Sequence, residues 1–453
     1  MMDRPEVSGF GVRHVQVILM FFWNVLFTSM VNGFPMSLVA MTTPFTSPNP
    51  NIPTFTDWND QSIILSSFFW GFVATQLFGG YYARKYGVKW FMVPSMFITA
   101  IICFSLPYLV VQFGSIGLIF AVVVAGCAQG LSHSMLPVFI SLWVPCKEKN
   151  TLGNAVYAGY GLGCILGINI ATYCATSWFG WPLSFYITAV MQFSWGCFMS
   201  MFGGNYPQSH RTISDKELEF ILEDKNLHEQ IPTPWREILN SRPVWALWIA
   251  NGGAIIITWL SAAEFPTYLS EVFDYKIEEV GNIMSLAFLL IGLLSFFVGI
   301  VVEYFINVKQ VETGIMRKIC NTVASLGCSI ILIRMAFFDG TESKTVLYSI
   351  LGVFAFNSTS FCGYLLNYND ISPNFCGILF GLGGVVASVM NLGNPVLMTI
   401  YVRNQSDPRE WGLIFFISAL IMIVANLVFV FFGSGEKQEW DDFNEERKSL
   451  RNS

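Results

Sequence analysis

Residues 116–143 read IGLIFAVVVAGCAQGLSHSMLPVFISLW, 28 residues with no lysine, arginine, aspartate or glutamate. Wound as an α-helix they extend about 42 Å, more than the roughly 30 Å of hydrocarbon in a bilayer. Lipid cannot satisfy an open backbone, so such a run crosses as a helix. Runs of the same kind occupy about 15–42, 61–82, 90–111, 152–175, 182–203, 243–268, 281–305, 315–337, 345–367, 375–401 and 411–433. The alternating pattern of a membrane barrel strand is not seen. The expected fold class is therefore an all-α membrane protein with twelve transmembrane helices.

Composition agrees. Hydrophobic residues make up 54% of the 453 and charged residues 12%, against about 25% charged in a soluble domain. The net charge of −6 argues against a nucleic-acid partner. Lipid and a small solute are the expected partners, and a monomer the expected state. Most of the ten cysteines lie in apolar runs without metal-ligand spacing and read as small packing residues; no metal site is expected. The polar head Met1–Gly11 runs into a stretch too long for a signal sequence, so the first span is expected to be retained.

Basic residues set the topology. With the N-terminus inside, the inner segments hold Arg4, Arg13, Arg84, Lys85, Lys89, Lys147, Lys149, Arg211, Lys216, Arg236, Arg242, Lys309, Arg317, Lys318 and Lys437 among others. The outer segments hold only Lys276, Arg334, Lys344, Arg403 and Arg409. The positive-inside rule then places both termini in the cytoplasm. The polar stretch 204–242 divides the spans six and six, and from Ser214 it reads as a short amphipathic helix with a serine cap. The expected organisation is an N-terminal half over 1–203, a cytoplasmic linker over 204–242, a C-terminal half over 243–433 and a tail over 434–453. The halves echo each other: the fifth span is rich in glycine (Gly153, Gly159, Gly161, Gly163, Gly167), and so is the eleventh (Gly377, Gly381, Gly383, Gly384, Gly393, then Pro395). Small residues allow close helix approach.

Two short charged loops, one with Gly80, Arg84, Lys85, Gly87 and Lys89 and one with Gly299, Glu303 and Lys309, resemble the loop of the major facilitator superfamily. More specific motifs follow: SSFFWGFVATQLFGG from Ser66, EFPTYLSEVF from Glu264, MRKICNT from Met316, LNYNDISPNFCGILFG from Leu366, and FGSGEKQEW ending at Trp440. Together they resemble solute-carrier family seventeen, which includes sodium–phosphate cotransporters, sialin and vesicular glutamate transporters. FGVRHVQ from Phe10 looks like the insect phosphate-cotransporter-like branch. The resemblance implies a major-facilitator fold and secondary active transport of an organic or inorganic anion by alternating access. It implies coupling to Na⁺ or H⁺ and no cofactor or catalytic chemistry. The plasma membrane is the first expectation, with lysosomal or vesicular membranes as alternatives.

Several family positions depart here. The family's arginine in the first helix aligns with Val31, its second-helix histidine with Leu65, its fourth-helix arginine and glutamate with Gly126 and His133, and its seventh-helix arginine with Ala254. An anion in a low-dielectric pocket needs a compensating charge or several donors, and buried arginine is the usual answer. Without it, divalent phosphate or a dicarboxylate is disfavoured, and a transport-silent sensor or scaffold is the alternative reading. His133 reads either as a proton-coupling imidazole or as a neutral histidine bonded to a neighbouring helix. Glu264 reads as a substrate or cation contact, or as a gate residue at the rim. Asn32 and Asn251 read as substrate contacts or as helix glue. Asn367 and Asp370 match the family's Asn-x-x-Asp pattern and are expected at the inner gate. Asn404 is a glycosylation candidate in an outer loop.

Overall fold

The computed structural model describes residues 9–43, 46–58, 61–223, 232–338, 343–391 and 397–441, apart from 399, 403 and 405. Gly393, Pro395, Arg403 and the tail beyond Asp441 lie outside the described residues, as do the side chains of Arg84 and Trp259. The described chain is helical, with no strand.

The first half comprises α1 (Val12–Thr42), α2 (Gln61–Tyr86), α3 (Lys89–His133), α4 (Leu136–Trp143), α5 (Lys149–Thr176) and α6 (Pro182–Phe202). Two short helices follow, α7 (Asp215–Leu222) and α8 (Trp235–Asn240). The second half comprises α9 (Arg242–Trp259), α10 (Phe265–Phe273), α11 (Ile277–Asn307), α12 (Thr313–Ala336), α13 (Ser343–Asn357), α14 (Tyr364–Ile371), α15 (Cys376–Asn391) and α16 (Pro408–Phe432).

Among the described residues, eight helical stretches are long and apolar enough to cross a membrane unaided. One of them, Lys89–Trp143, crosses twice. It reverses at Gly114, whose φ of +61° is a left-handed conformation that a side chain disfavours. The remaining crossings are α6, the pair α9–α10, and α15, which gives twelve. Three crossings are broken in ways that hydropathy does not reveal. The fourth passes through a turn at Ser134 and Met135 between α3 and α4. The seventh passes through a π turn at Leu260–Glu264 between α9 and α10. The tenth passes through a 3₁₀ turn at Ser358–Phe361 between α13 and α14.

The glycines of the fifth span do close-packing work. Side-chain carbons at Gly159, Gly163 or Gly167 would strike α1, and one at Gly161 would strike the backbone of α11. The large fully buried side chains, among them Trp23, Trp143, Trp181, Trp248 and Trp411, fill the two halves.

α1 starts and α16 ends on one face, here called the terminal face. The linker is docked there. Ser214 caps α7 by accepting the Glu217 N–H at 3.3 Å. Glu217 is itself buried and caps α1, accepting the Val12 and Arg13 N–H groups at 3.1 and 3.0 Å. Arg13, 1% exposed, pairs with Glu217 at 3.2 Å and Glu148 at 2.8 Å. On the other half, Ser434–Asp441 lies as a strap. Asn367 donates to the Ser434 carbonyl at 3.0 Å, Gln438 to the Ile371 carbonyl at 2.9 Å, and buried Asp441 accepts from Ser372 and Asn374.

Candidate functional site

α3 ends at His133, and Pro137 opens α4 after a short turn. The break leaves the imidazole between helices rather than along one. Its ring centroid lies 5.0 Å from Phe27 and 6.3 Å from Trp23 on α1, 5.3 Å from Phe72 on α2, and 5.2 Å from Phe380 on α15. His133 as a residue is half-buried, while its Nδ1 is buried among the four rings.

Phe380 carries the layer into the second half. Its ring meets Tyr368 edge-on at 5.2 Å, and the Tyr368 hydroxyl accepts the Asn251 amide at 3.2 Å. Trp248 on α9 donates to the Leu379 carbonyl at 2.9 Å. Tyr157 on α5 packs near Phe361 at 6.5 Å. The indole N–H of Trp23, Nδ1 of His133 and the hydroxyl of Tyr157 have no protein partner among the described residues. The layer thus offers aromatic walls, an imidazole and free hydrogen-bonding groups. The ion pairs between described residues all lie on the terminal face instead.

Below the layer the halves are fastened. Asp370 on α14, 6% exposed in its side chain, accepts Lys149 of the first half at 2.9 Å and Arg317 of α12 at 2.6 Å. Arg317 also donates to Asn150 of the first half at 2.7 Å and to the Cys362 carbonyl at 2.8 Å. Glu303 accepts the Thr151 N–H at 2.9 Å, Asn369 donates to the Pro137 carbonyl at 2.6 Å, and Asn307 to the Lys147 carbonyl at 2.6 Å. Gly80 and Gly377 meet backbone to backbone where α2 crosses α15. Toward the opposite face the halves meet through an exposed pair, Asn169 and Ser285 at 3.5 Å, and through a hydrogen bond between Tyr160 and Thr258.

The structure thus joins His133 and Asn251 at one level through Phe380 and Tyr368. It separates the other two central candidates from them. Asn32 lies five residues, about 7 Å of helix, beyond Phe27, and its amide returns to the Thr28 carbonyl of its own helix at 2.9 Å. Glu264 lies thirteen residues, about 20 Å, beyond Asn251 and is buried in the second half. Asn367 and Asp370 sit on the terminal face, the first on the strap and the second in the cross-half cluster. Asn404 is exposed. The sequence alone did not single out Lys149 and Arg317 as partners of Asp370, Asn150 as a partner of Arg317, or the rings around His133. Arg317 carried a signal, since it lies in the motif MRKICNT. The rings carried none, because aromatic residues are 16% of the chain and spread through every span.

The Major Facilitator Superfamily model matches residues 17–394. A putative inorganic phosphate cotransporter of Drosophila ananassae is 29% identical over 400 residues, covering 86% of this chain and 83% of that protein. Vesicular glutamate transporter 3 of Danio rerio is 27% identical, covering 86% and 67%. Sialin of Ovis aries is 28% identical, covering 85% and 77%. These relatives are members of solute-carrier family seventeen, as the motifs implied. Among solved structures, the proton:xylose symporter XylE bound to 6-bromo-6-deoxy-D-glucose superimposes with a TM-score of 0.66 at 13% identity, covering 97% of this chain and 99% of that one. At that identity the likeness is one of fold.

Proposed function

Because the chain belongs to the Major Facilitator Superfamily, we propose that it is a secondary active transporter that carries an anion by alternating access. The observation that carries this reading is the arrangement at the junction of the halves. A layer centred on His133 is built by both halves, and below it the halves are held by ion pairs and hydrogen bonds that can break and re-form. Rocking one half on the other then exposes the layer to each side in turn. The relatives named for phosphate, glutamate and sialin support a small anion as cargo. They support a carrier over an enzyme.

The terminal face carries the basic residues, which supports a cytoplasmic assignment for it. The state described here is then closed to the cytoplasm, with Asn404 on the outer side available for glycosylation. Uptake into liposomes bearing the purified protein, under imposed pH and Na⁺ gradients, tests the reading with phosphate, glutamate and sialate. Absence of gradient-dependent flux for all of them counts against it. One observation favours a second reading, a solute sensor without transport: among the described residues the His133 layer holds no arginine, and by the family resemblance Val31, Gly126 and Ala254 align with charged positions. Solute-dependent thermal stabilisation without flux is its signature.

A further inference from the structure

Glu264 stands where the seventh crossing changes winding. The π turn Leu260–Glu264 ends on it, and Pro266 follows two residues later. A π turn shifts the hydrogen-bond register by one residue, and proline brings no N–H to the turn before it. Carbonyl oxygens beside Glu264 therefore lose their ordinary helical donors. Glu264 is 6% exposed, and its Oε2 has no hydrogen-bond partner among the described residues. One helical turn on, and so on the same side of the helix, Tyr268 is fully buried with its hydroxyl equally unpartnered.

The surroundings are apolar. Leu260, Phe265 and Leu269 are core residues, and the Tyr268 ring packs on Trp411 at 5.3 Å and Phe415 at 5.2 Å. No charged side chain among the described residues acts on Glu264. A carboxylate in such a place needs a counter-charge, and intramembrane carboxylates without a partner are retained for function. Here the protein supplies hard oxygen atoms and no cation. Loosened carbonyls at a break in a membrane helix are a recurrent means of holding a small ion.

We propose that Glu264, with the Tyr268 hydroxyl and the loosened carbonyls of the π turn, binds a small monovalent cation, sodium or a proton. This rests on the transporter reading for its purpose, since that cation is then the coupling ion. Glu264 lies about 20 Å along the helix from Asn251, on the side away from the cross-half ion pairs. Cation and anion thus occupy separate levels of one crossing. The crossing also carries Trp248 and Asn251, which touch the His133 layer, so a change in winding at the π turn reaches that layer directly.

The test compares full-length wild type with Glu264→Gln, which keeps the shape and removes the charge. Tm is measured in detergent as NaCl replaces choline chloride, at acidic and at neutral pH. A sodium site raises the wild-type Tm with NaCl at neutral pH; a proton site raises it on acidification alone. In either case Glu264→Gln loses the response. Tyr268→Phe keeps the ring and raises the half-maximal sodium concentration about tenfold, the weight of one lost oxygen ligand. Identical responses in wild type and Glu264→Gln, or no wild-type response to either cation, overturn the proposal. Liposome uptake separates the two readings. Absent flux in wild type counts against transport, while the Tm comparison still decides whether Glu264 holds the cation.

Discussion

Substitution of Lys149 by alanine tests whether the cross-half cluster is a gate. Lys149 reaches Asp370 at 2.9 Å, with the two side chains 17% and 6% exposed. Fully exposed pairs contribute about 0.2–1 kcal/mol and removing one partner of a buried pair costs about 3–5 kcal/mol. Asp370 keeps Arg317 at 2.6 Å after the substitution, so no charge is left uncompensated. The loss to the closed terminal face is then about 1–2 kcal/mol, between those limits. Since 1.4 kcal/mol is tenfold in an equilibrium, the ratio of open to closed terminal face rises roughly 5- to 30-fold. Spin labels at Cys146 and at Gln310→Cys, both exposed and on opposite halves of the terminal face, report the separation by pulsed electron resonance. The long-distance population grows in Lys149→Ala. Asp370→Asn strands Arg317 as well and gives a larger shift, with some loss of overall stability. An unchanged distance distribution in a folded Lys149→Ala protein refutes the gate.

Gly80→Ala places a methyl group against the Gly377 backbone; closure of the terminal face then costs more than about 2 kcal/mol, and the same labels report a mainly open face. Glu217→Ala removes the acceptor of two α1 amides and one partner of buried Arg13; the linker loosens by about 2–3 kcal/mol, seen as faster limited proteolysis between α6 and α9. Burial pushes the Asp441 carboxyl above its ordinary range, against the pull of Ser372, Asn374 and Lys437. A carboxyl whose docked value lies above its free value favours docking more as pH falls through that window. Amide exchange across 434–441, corrected for its intrinsic rate, therefore slows between neutrality and the ordinary carboxylate range, and Asp441→Asn flattens the dependence.

Much of the architecture was legible because hydrocarbon is a severe solvent. Length and lack of charge identify most crossings, and basic residues divide the loops into two sets. The Ser214 cap and the glycines of the fifth span were likewise readable, since a cap and a close helix approach each demand few residue types. The breaks in the fourth, seventh and tenth crossings were not. Ser358–Phe361 is as apolar or neutral as the helices beside it, Leu260–Glu264 departs from that only at Glu264, and a register change of one residue leaves no trace in hydropathy. The cross-half cluster was partly legible: Asp370 and Arg317 stand out by their motifs, whereas Lys149 looks like an ordinary inner-loop cation, and none of them shows its partner until α5, α12 and α14 converge.

Sequence alone settled that this chain weaves through a bilayer as two sets of six helices, because burying an open backbone or a bare charge in lipid is prohibitive. Only the tertiary structure decided which polar groups share a level. It placed His133 and Asn251 together through Phe380 and Tyr368, and left Glu264 far along its helix in an apolar pocket. Depth and neighbours depend on how helices tilt, break and cross, and those are outcomes of packing between segments distant in the chain.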